Sequence, residues 1–299
     1  AENPDNSATE AKIKLGHVLY YDTRLSLTGN NSCNSCHNLN TYGVDNLPTS
    51  PGDLGETGDR NSPTTLNAAL HMSQFWDGRM KDVEEQAGGP VLNPVEMNMP
   101  SEKAVEDRLK GVELYRTLFA QAYPNESNPF TYQNMRNAIG AFERQLLTPS
   151  RVDAYLKGDK SALTLSEKKG MLSFSYIGCT TCHNGPLLGG NQMQRFGVHQ
   201  PYWEATGSEH QDRGLFEQSK DSLDLYMFKV PSLRNVSETH PYFHDGSVSD
   251  LAEAVKIMAV VQLDYKMNKD EVKNVVAFLD ALTGEVPAQY KENPLAMAE

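Results

Sequence analysis

Cysteine is scarce in this chain, with four in 299 residues. That excludes a disulfide-dense scaffold, which crowds bridges into a short chain to replace a core. Long apolar runs are also missing. No stretch reaches the roughly 18 to 20 consecutive apolar residues of a membrane-crossing helix, so no membrane span is expected. Basic residues are outnumbered, 27 against 39 acidic ones, and the net charge is −12. A surface of that sign repels a phosphate backbone, so nucleic acid is not an expected partner. It would steer a basic protein partner at low ionic strength, or serve solubility alone. Apolar residues make up only 38% of the chain, so the polypeptide by itself buries a modest core. No strand-like alternation is sustained, and no low-complexity tract or internal repeat stands out beyond the motif described next. The chain opens Ala1-Glu2-Asn3-Pro4, with neither a basic nor an apolar leader segment. It is read as a mature exported form whose signal peptide has been removed.

What the chain does have is concentrated in its cysteines. All four fall in two runs, Cys33-Asn34-Ser35-Cys36-His37 and Cys179-Thr180-Thr181-Cys182-His183. C-x-x-C-H is the attachment signature of c-type haem. The two thiols add to the two vinyl groups of one porphyrin, and the following histidine supplies an axial imidazole. A zinc ribbon would place its cysteine pairs about 15–20 residues apart, far closer than these. A thioredoxin-type pair would need a neighbouring βαβ pattern, which is missing. Two covalent haem c groups are therefore expected, on Cys33, Cys36 and His37 and on Cys179, Cys182 and His183. Attachment needs reduced thiols in an export compartment, which points to a bacterial periplasm or a cell surface.

The rest of the pattern is helical. Ser7-x-x-Glu10 reads as a capping box opening a helix with Ile13, Leu15, Val18 and Leu19 on one face. Residues 28–63 read as loop, 67–80 as helical, and 83–100 as mostly irregular because of Gly88-Gly89-Pro90, Pro94 and Pro100. Helices are predicted from Ser101 toward Ala122 and over 132–147, where Met135, Ile139, Phe142 and Leu146 recur at helical spacing. Thr148-Pro149-Ser150 breaks this pattern. A second capping box, Thr164-x-x-Glu167, opens a helix that stops at Gly178. Asp250 opens one with Leu251, Ala254, Val255 and Met258 at i, i+3, i+4 and i+7. Asn268-x-x-Glu271 caps the last, with Val272, Val276 and Leu279 inward and Gly284 as its stop. The fold class is mainly α, with two cytochrome c-like haem domains, long loops and little or no strand. Residues 1–147 would carry the first haem, with the first helix free to pack on the other domain, and residues 148–299 the second.

The sixth ligand decides whether a haem iron relays electrons or meets a substrate. Eleven methionines and six further histidines leave that open from composition. Several longer strings narrow it. Arg60-Asn61-Ser62-Pro63-Thr64, Gln74-Phe75-Trp76-Asp77-Gly78-Arg79, Val95-Glu96-Met97, Ser232-Leu233-Arg234-Asn235-Val236, Pro241-Tyr242-Phe243-His244-Asp245-Gly246 and Ala254-Val255-Lys256-Ile257-Met258 occur in the order found in the bacterial dihaem cytochrome c peroxidases. The chain resembles that family over nearly its whole length. The resemblance implies an enzyme that reduces hydrogen peroxide to water at the N-terminal haem, with electrons entering at the C-terminal haem from a small cytochrome c or a copper protein. It implies Met258 as sixth ligand opposite His183, where spacing alone would allow a core methionine. Glu96 would be the acid/base group on the open face of the first haem, with Gln86 orienting peroxide. Trp76 would stand between the haems and assist electron transfer. One calcium ion is implied between the domains, on Asn61 and the carbonyls of Thr239 and Pro241. His244 matches a family position and is read as structural, and a homodimer is implied.

The chain departs from the family in one place. Many members carry, in the loop after the first haem run, a histidine that plugs the peroxidatic iron in the oxidised enzyme. Here Asp53 stands at that position, and no histidine occurs between His37 and His71. His71 lies before Trp76 and is read as structural. The first haem is therefore expected to lack a loop histidine, so that no reductive activation is needed. Two other functions stay open. One is a dihaem oxidase acting on residues of another protein, whose known members place a tyrosine at the Met258 position. The other is a dihaem electron carrier without a substrate.

Overall fold

The computed structural model describes residues 2–296. Helix α1 (Glu10–Tyr21) begins at Thr9, whose side chain accepts from the Lys12 amide. The Ser7 capping box is therefore corrected by two residues: Thr9 is the residue with the extended backbone a cap needs. Cys33–Cys36 form a single turn, α2, closed by Ser32 and Ser35 in a reciprocal cap. Residues 67–80 contain only a short 3-10 turn at Ala68–Leu70, so the helix expected there is absent. The segment instead closes a tight loop, in which Gln74 N–H bonds to the Met80 carbonyl at 2.7 Å.

Residues 83–100, expected to be irregular, begin with helix α3 (Val83–Leu92). Asp82 caps it, and Pro90 sits in its last turn. The two glycines are there for packing. A Cβ on Gly88 would fall 2.5 Å from the Arg136 side chain and 3.0 Å from the Tyr132 ring, both on the crossing helix α6 (Tyr132–Glu143). The helix expected from Ser101 to Ala122 is two, α4 (Glu102–Lys110) and α5 (Glu113–Ala122), parted at Gly111. After the short α7 (Arg151–Leu156) comes α8 (Leu165–Ile177), with the expected Thr164–Glu167 box and a left-handed Gly178. Helices α9 (Tyr202–Thr206) and α10 (Phe216–Ser219) are single turns. Two three-residue strands, β1 (Met193–Arg195) and β2 (Met227–Lys229), pair antiparallel with Met193 opposite Lys229. Helix α11 (Leu251–Leu263) is capped by Asp250 and α12 (Lys269–Asp280) by Asn268 with Glu271, as predicted. The buried face of α12 is Val275, Phe278 and Leu279, however, and its cap is Ala281 rather than Gly284.

An internal repeat that the sequence hides is plain in three dimensions. Helix α1 crosses α6 so closely that a Cβ on Gly16 would lie 1.9 Å from the Ala138 carbonyl and 2.8 Å from Phe142. Helix α8 crosses α12 in the same way, with Gly170 meeting the Asn274 carbonyl at 1.8 Å and Phe278 at 2.8 Å. Each pair precedes or brackets one C-x-x-C-H run. Asn67 and Asn235 occupy matching left-handed positions, φ 62° and 61°. Both donate Nδ2 to the same Thr148 hydroxyl at 2.8 Å, from either side. Glycine at the crossing and phenylalanine on the partner helix are all that the two halves keep in common there. Two positions are too few to register as a repeat by eye.

The apolar core falls into clusters that follow this duplication. One joins α1, α3, α5 and α6 through Leu15, Val91, Phe119 and Ile139. Another joins α8 and α12 through Phe174, Val275 and Phe278. A third surrounds Cys33 with Tyr20, Leu39, Leu66 and Phe142, and takes in Val286 and Tyr290 from the C-terminal segment.

Candidate active site

The second run shapes a cleft. Helix α8 ends at Gly178, and Cys179 follows at once, so the helix end sets where both thiols lie. Cys179, Cys182 and His183 line a cleft enclosing about 1220 Å³ of space, its open mouth included. Phe174, Val230, Leu251, Val255 and Leu279 supply apolar walls. Met258 projects from α11 into the same cleft as His183. The His183 Nδ1 lies 3.0 Å from the Leu188 carbonyl. That contact holds the ring and leaves its other nitrogen for a metal, the usual outer-shell arrangement of a histidine ligand. A broad apolar slot with two thiols on its rim, an imidazole and a thioether fits a c-type haem. No carboxylate acts on either thiol, and burial alone or with the sister thiol raises them.

The first run has different surroundings. Tyr20 holds the His37 backbone, donating its hydroxyl to the His37 carbonyl at 2.6 Å, and lies 3.0 Å from Thr65 Oγ1. Two buried carboxylate oxygens near this run lack partners: Asp45 Oδ2 and Glu96 Oε2. Buried atoms of this kind are rare in a finished structure and mark where a further group belongs. The charges of Asp45 and Glu96 both act on the Cys36 thiol, and that of Glu143 on Cys33. Burial pushes Glu96 above the ordinary carboxylate range, against the opposing pull of Arg79. Arg79 itself covers the Phe75 ring, 3.4 Å from its centre. Gln86 stands on α3, and Glu96 follows in the turn after it, whose backbone is fixed by Asp53 N–H to the Glu96 carbonyl at 2.6 Å. Two thiols, an imidazole and two buried carboxylate oxygens without partners fit a haem with polar surroundings.

Asp53 is 3% exposed. Its Oδ2 accepts the Thr28 amide at 2.6 Å and its Oδ1 the Asn30 amide at 3.0 Å. The side chain ties its own loop to the segment before Cys33, while the Asp53 backbone N–H joins that loop to Glu96. Trp76 connects the halves: its indole N–H donates to the Asn61 carbonyl at 2.9 Å, and its carbonyl accepts the Lys229 amide at 2.8 Å. It also lines the second cleft. His71 takes part in the same seam, its Nδ1 3.1 Å from the buried Lys229 ammonium. His244 is buried in a ring of aromatics, 4.4 Å from Phe228 and 5.0 Å from Tyr202 between centres.

Asn61, Thr239 and Pro241 are brought into one neighbourhood. Asn61 N–H donates to the His244 carbonyl at 2.7 Å, and Asn61 Nδ2 reaches the Leu47 and Pro48 carbonyls. Asn46 Nδ2 reaches those of Glu238 and His240. Among the described residues the carbonyls of Thr239 and Pro241 accept no hydrogen bond, so their oxygens remain free for a hard cation, as calcium prefers. Residues that sequence reasoning missed are Asp45, Arg79 as a charge facing Glu96, Glu143 and Lys229. Each is a lone charged residue in a chain with many, and only folding sets it apart.

Comparison with known proteins agrees with this geometry. The pattern of the family described as Di-haem cytochrome c peroxidase matches residues 10–161. The chain is 45% identical over 281 residues to Cytochrome c551 peroxidase of Pseudomonas aeruginosa, covering 93% of this chain and 80% of that one. It is 44% identical over 288 residues to the protein of the same name from Nitrosomonas europaea, covering 96% and 83%. Among solved structures, a MauG-like protein associated with microbial copper homeostasis superposes with a TM-score of 0.86 at 28% identity, covering 98% of this chain and 95% of that one. Among the described residues no helix is long and apolar enough to cross a membrane. A shared pattern through the first haem run and close relatives over almost the full length lead to one assignment: this chain belongs to the di-haem cytochrome c peroxidase family and is a dihaem peroxidase.

Proposed function

We propose that the chain reduces hydrogen peroxide to two waters, consuming two electrons and two protons, with a small cytochrome c or copper protein as electron donor. Cys33 and Cys36 would carry one covalent haem c with His37 as axial ligand. Cys179 and Cys182 would carry the other, with His183 and Met258 on its two faces. When bound, the haems supply the electron chemistry. The chain's own groups handle protons and geometry. Glu96 takes the proton from the inner oxygen of peroxide and delivers it to the outer one, which leaves as water. Burial suits it to that work, because it raises the carboxyl's proton affinity and so moves it toward working pH. Gln86 orients the peroxide by hydrogen bonds. Trp76 carries electrons across the seam between residues 1–147 and 148–299, which we propose as the two haem domains. Asn61, with the carbonyls of Thr239 and Pro241, holds a calcium ion there. The enzyme acts in the periplasm, as a homodimer.

The observation that carries this reading is the contrast between the two runs. Near the first, one carboxylate oxygen of Asp45 and one of Glu96 are buried without a partner. The second is lined mainly by apolar side chains and a methionine, with no carboxylate among them. Met258 in that cleft disfavours the protein-oxidising alternative, and the acids at the first run disfavour a plain electron carrier. The test is stopped-flow mixing of the oxidised and half-reduced holoprotein with peroxide. Glu96→Ala should slow the reaction by about 10²- to 10⁴-fold, the usual contribution of a positioned acid/base. Equal rates in variant and wild type would remove Glu96 from the reaction.

A further inference from the structure

The first run has another buried acid beside it, which peroxide chemistry leaves unused. Glu143 is the last residue of α6 and is 3% exposed. Among the described residues nothing donates a hydrogen bond to its carboxylate. Its charged and titratable neighbours come from each packed element: Tyr20 on α1, Cys33 on α2, Glu84 on α3, and Arg144 next in the chain. Arg144 is the sole cation in this set, and it is already engaged. Its Nε and Nη2 hold the two Glu84 oxygens at 2.8 and 2.7 Å. Burial first, and the Glu84 charge second, push Glu143 up to about 8.

The internal duplication gives this residue a place relative to the haem. Glu143 follows Phe142 on α6 as Leu279 follows Phe278 on α12, and both phenylalanines pack on the crossing glycine. Leu279 lines the second cleft. Tyr20 likewise stands four residues after Gly16, where Phe174, another wall of that cleft, stands four after Gly170. Two apolar wall positions of the second site are thus a carboxyl and a phenol at the first. A leucine-sized apolar group would avoid the desolvation cost of burying an acid, so the carboxyl is there for something other than packing.

We infer that Glu143 is a redox-linked proton site of the first haem centre, its carboxylate taking up one proton when an electron arrives at the group held by Cys33, Cys36 and His37 and returning it when the electron leaves. The inference rests on the haem attachment proposed above. The electron comes from the reduced donor protein and the proton from water. One O–H bond forms on reduction and breaks on oxidation, and nothing else changes. The cause is electrostatic: added negative charge in a low-dielectric interior raises the proton affinity of a nearby acid. By reciprocity, a bound proton favours the reduced state. The potential therefore falls as pH rises, between the pKa values of Glu143 in the oxidised and reduced states. One proton per electron is a tenfold change in equilibrium constant per pH unit, ~59 mV.

Spectroelectrochemical titration of the holoprotein between about pH 6 and 9, with mass measurement of attached haem, tests this. Wild type should show the falling potential at the first haem. Glu143→Gln, which keeps the shape and loses the proton, should be nearly flat with both haems still attached. Equal slopes in the two proteins, with haem attached, overturn the inference. Wild type carrying no covalent haem would instead sink the attachment reading. Should Glu143→Gln fail to accumulate, infrared redox-difference spectra of wild type decide. A protonated-carboxyl band must grow on reduction and move in Glu143→Asp, and an unchanged carboxyl region overturns the inference.

Discussion

Replacing Asp53 by alanine tests the account of the loop that approaches the first haem. The carboxylate is 3% exposed and accepts two backbone amides, from Thr28 at 2.6 Å and Asn30 at 3.0 Å. A hydrogen bond to a charged group contributes about 1.5–3 kcal/mol. Two such bonds set an upper bound of roughly 6 kcal/mol, and water entering the surface loop recovers part of it. The expected loss is about 2–4 kcal/mol, a large share of the 5–15 kcal/mol that holds a typical domain folded. Asp53→Asn keeps one acceptor oxygen and should lose about half as much. Urea denaturation should show a lower midpoint with an unchanged slope. The pH dependence follows from the same bonds. Burial would raise the Asp53 pKa, but hydrogen bonds from Thr28, Ser26 and Asn30 outweigh it and hold it below the ordinary value. A depressed folded-state pKa gives stability that is present above the unfolded value near ~3.9 and is lost as pH falls through the lower folded value. The gap between wild type and Asp53→Ala should therefore narrow in acid. A midpoint unaltered by alanine at neutral pH, or a gap that stays constant into acid, would refute the lock.

Two further outcomes are expected. Since Asp53 is held by Thr28 and Asn30 and no histidine lies in that loop, the as-isolated ferric protein should give no bis-histidine low-spin EPR signal from its first haem; such a signal would end the proposal that activation by reduction is unnecessary. Met258→Ala should lower the potential of the second haem and remove its thioether spectral signature, because a thioether ligand raises the potential, whereas an unchanged spectrum would return Met258 to the role of a wall residue.

Legibility in the sequence followed how local each feature is. The C-x-x-C-H signature is decided within a few residues, as are the Thr164 and Asn268 capping boxes and the Gly178 stop, and these caps stand where the spacing places them. The stretch containing Gly88-Gly89-Pro90 is helical despite its breaker residues, which speak for loops only when nothing packs against them. Here α6 passes so near that a side chain at Gly88 would displace Arg136 and crowd Tyr132, and the buried Glu84–Arg144 pair ties α3 to the end of that helix. Asp53 is legible as a departure from a family, but not as a lock, since its amide partners lie 25 and 23 residues earlier in the chain.

The sequence alone determined where haem attachment is expected, because the attachment signature depends only on a spacing of two residues and a neighbouring imidazole. It determined the helical class as well, through period and caps. Only the tertiary structure decided that the two halves repeat each other around Thr148, that Glu96, Asp45 and Glu143 converge on one run, and that Met258 shares a cleft with His183. The repeat depends on helix crossings between residues more than a hundred positions apart in the chain, and the other two facts on contacts and burial that local pattern does not carry. An acid's chemistry is set by how much water the fold leaves around it.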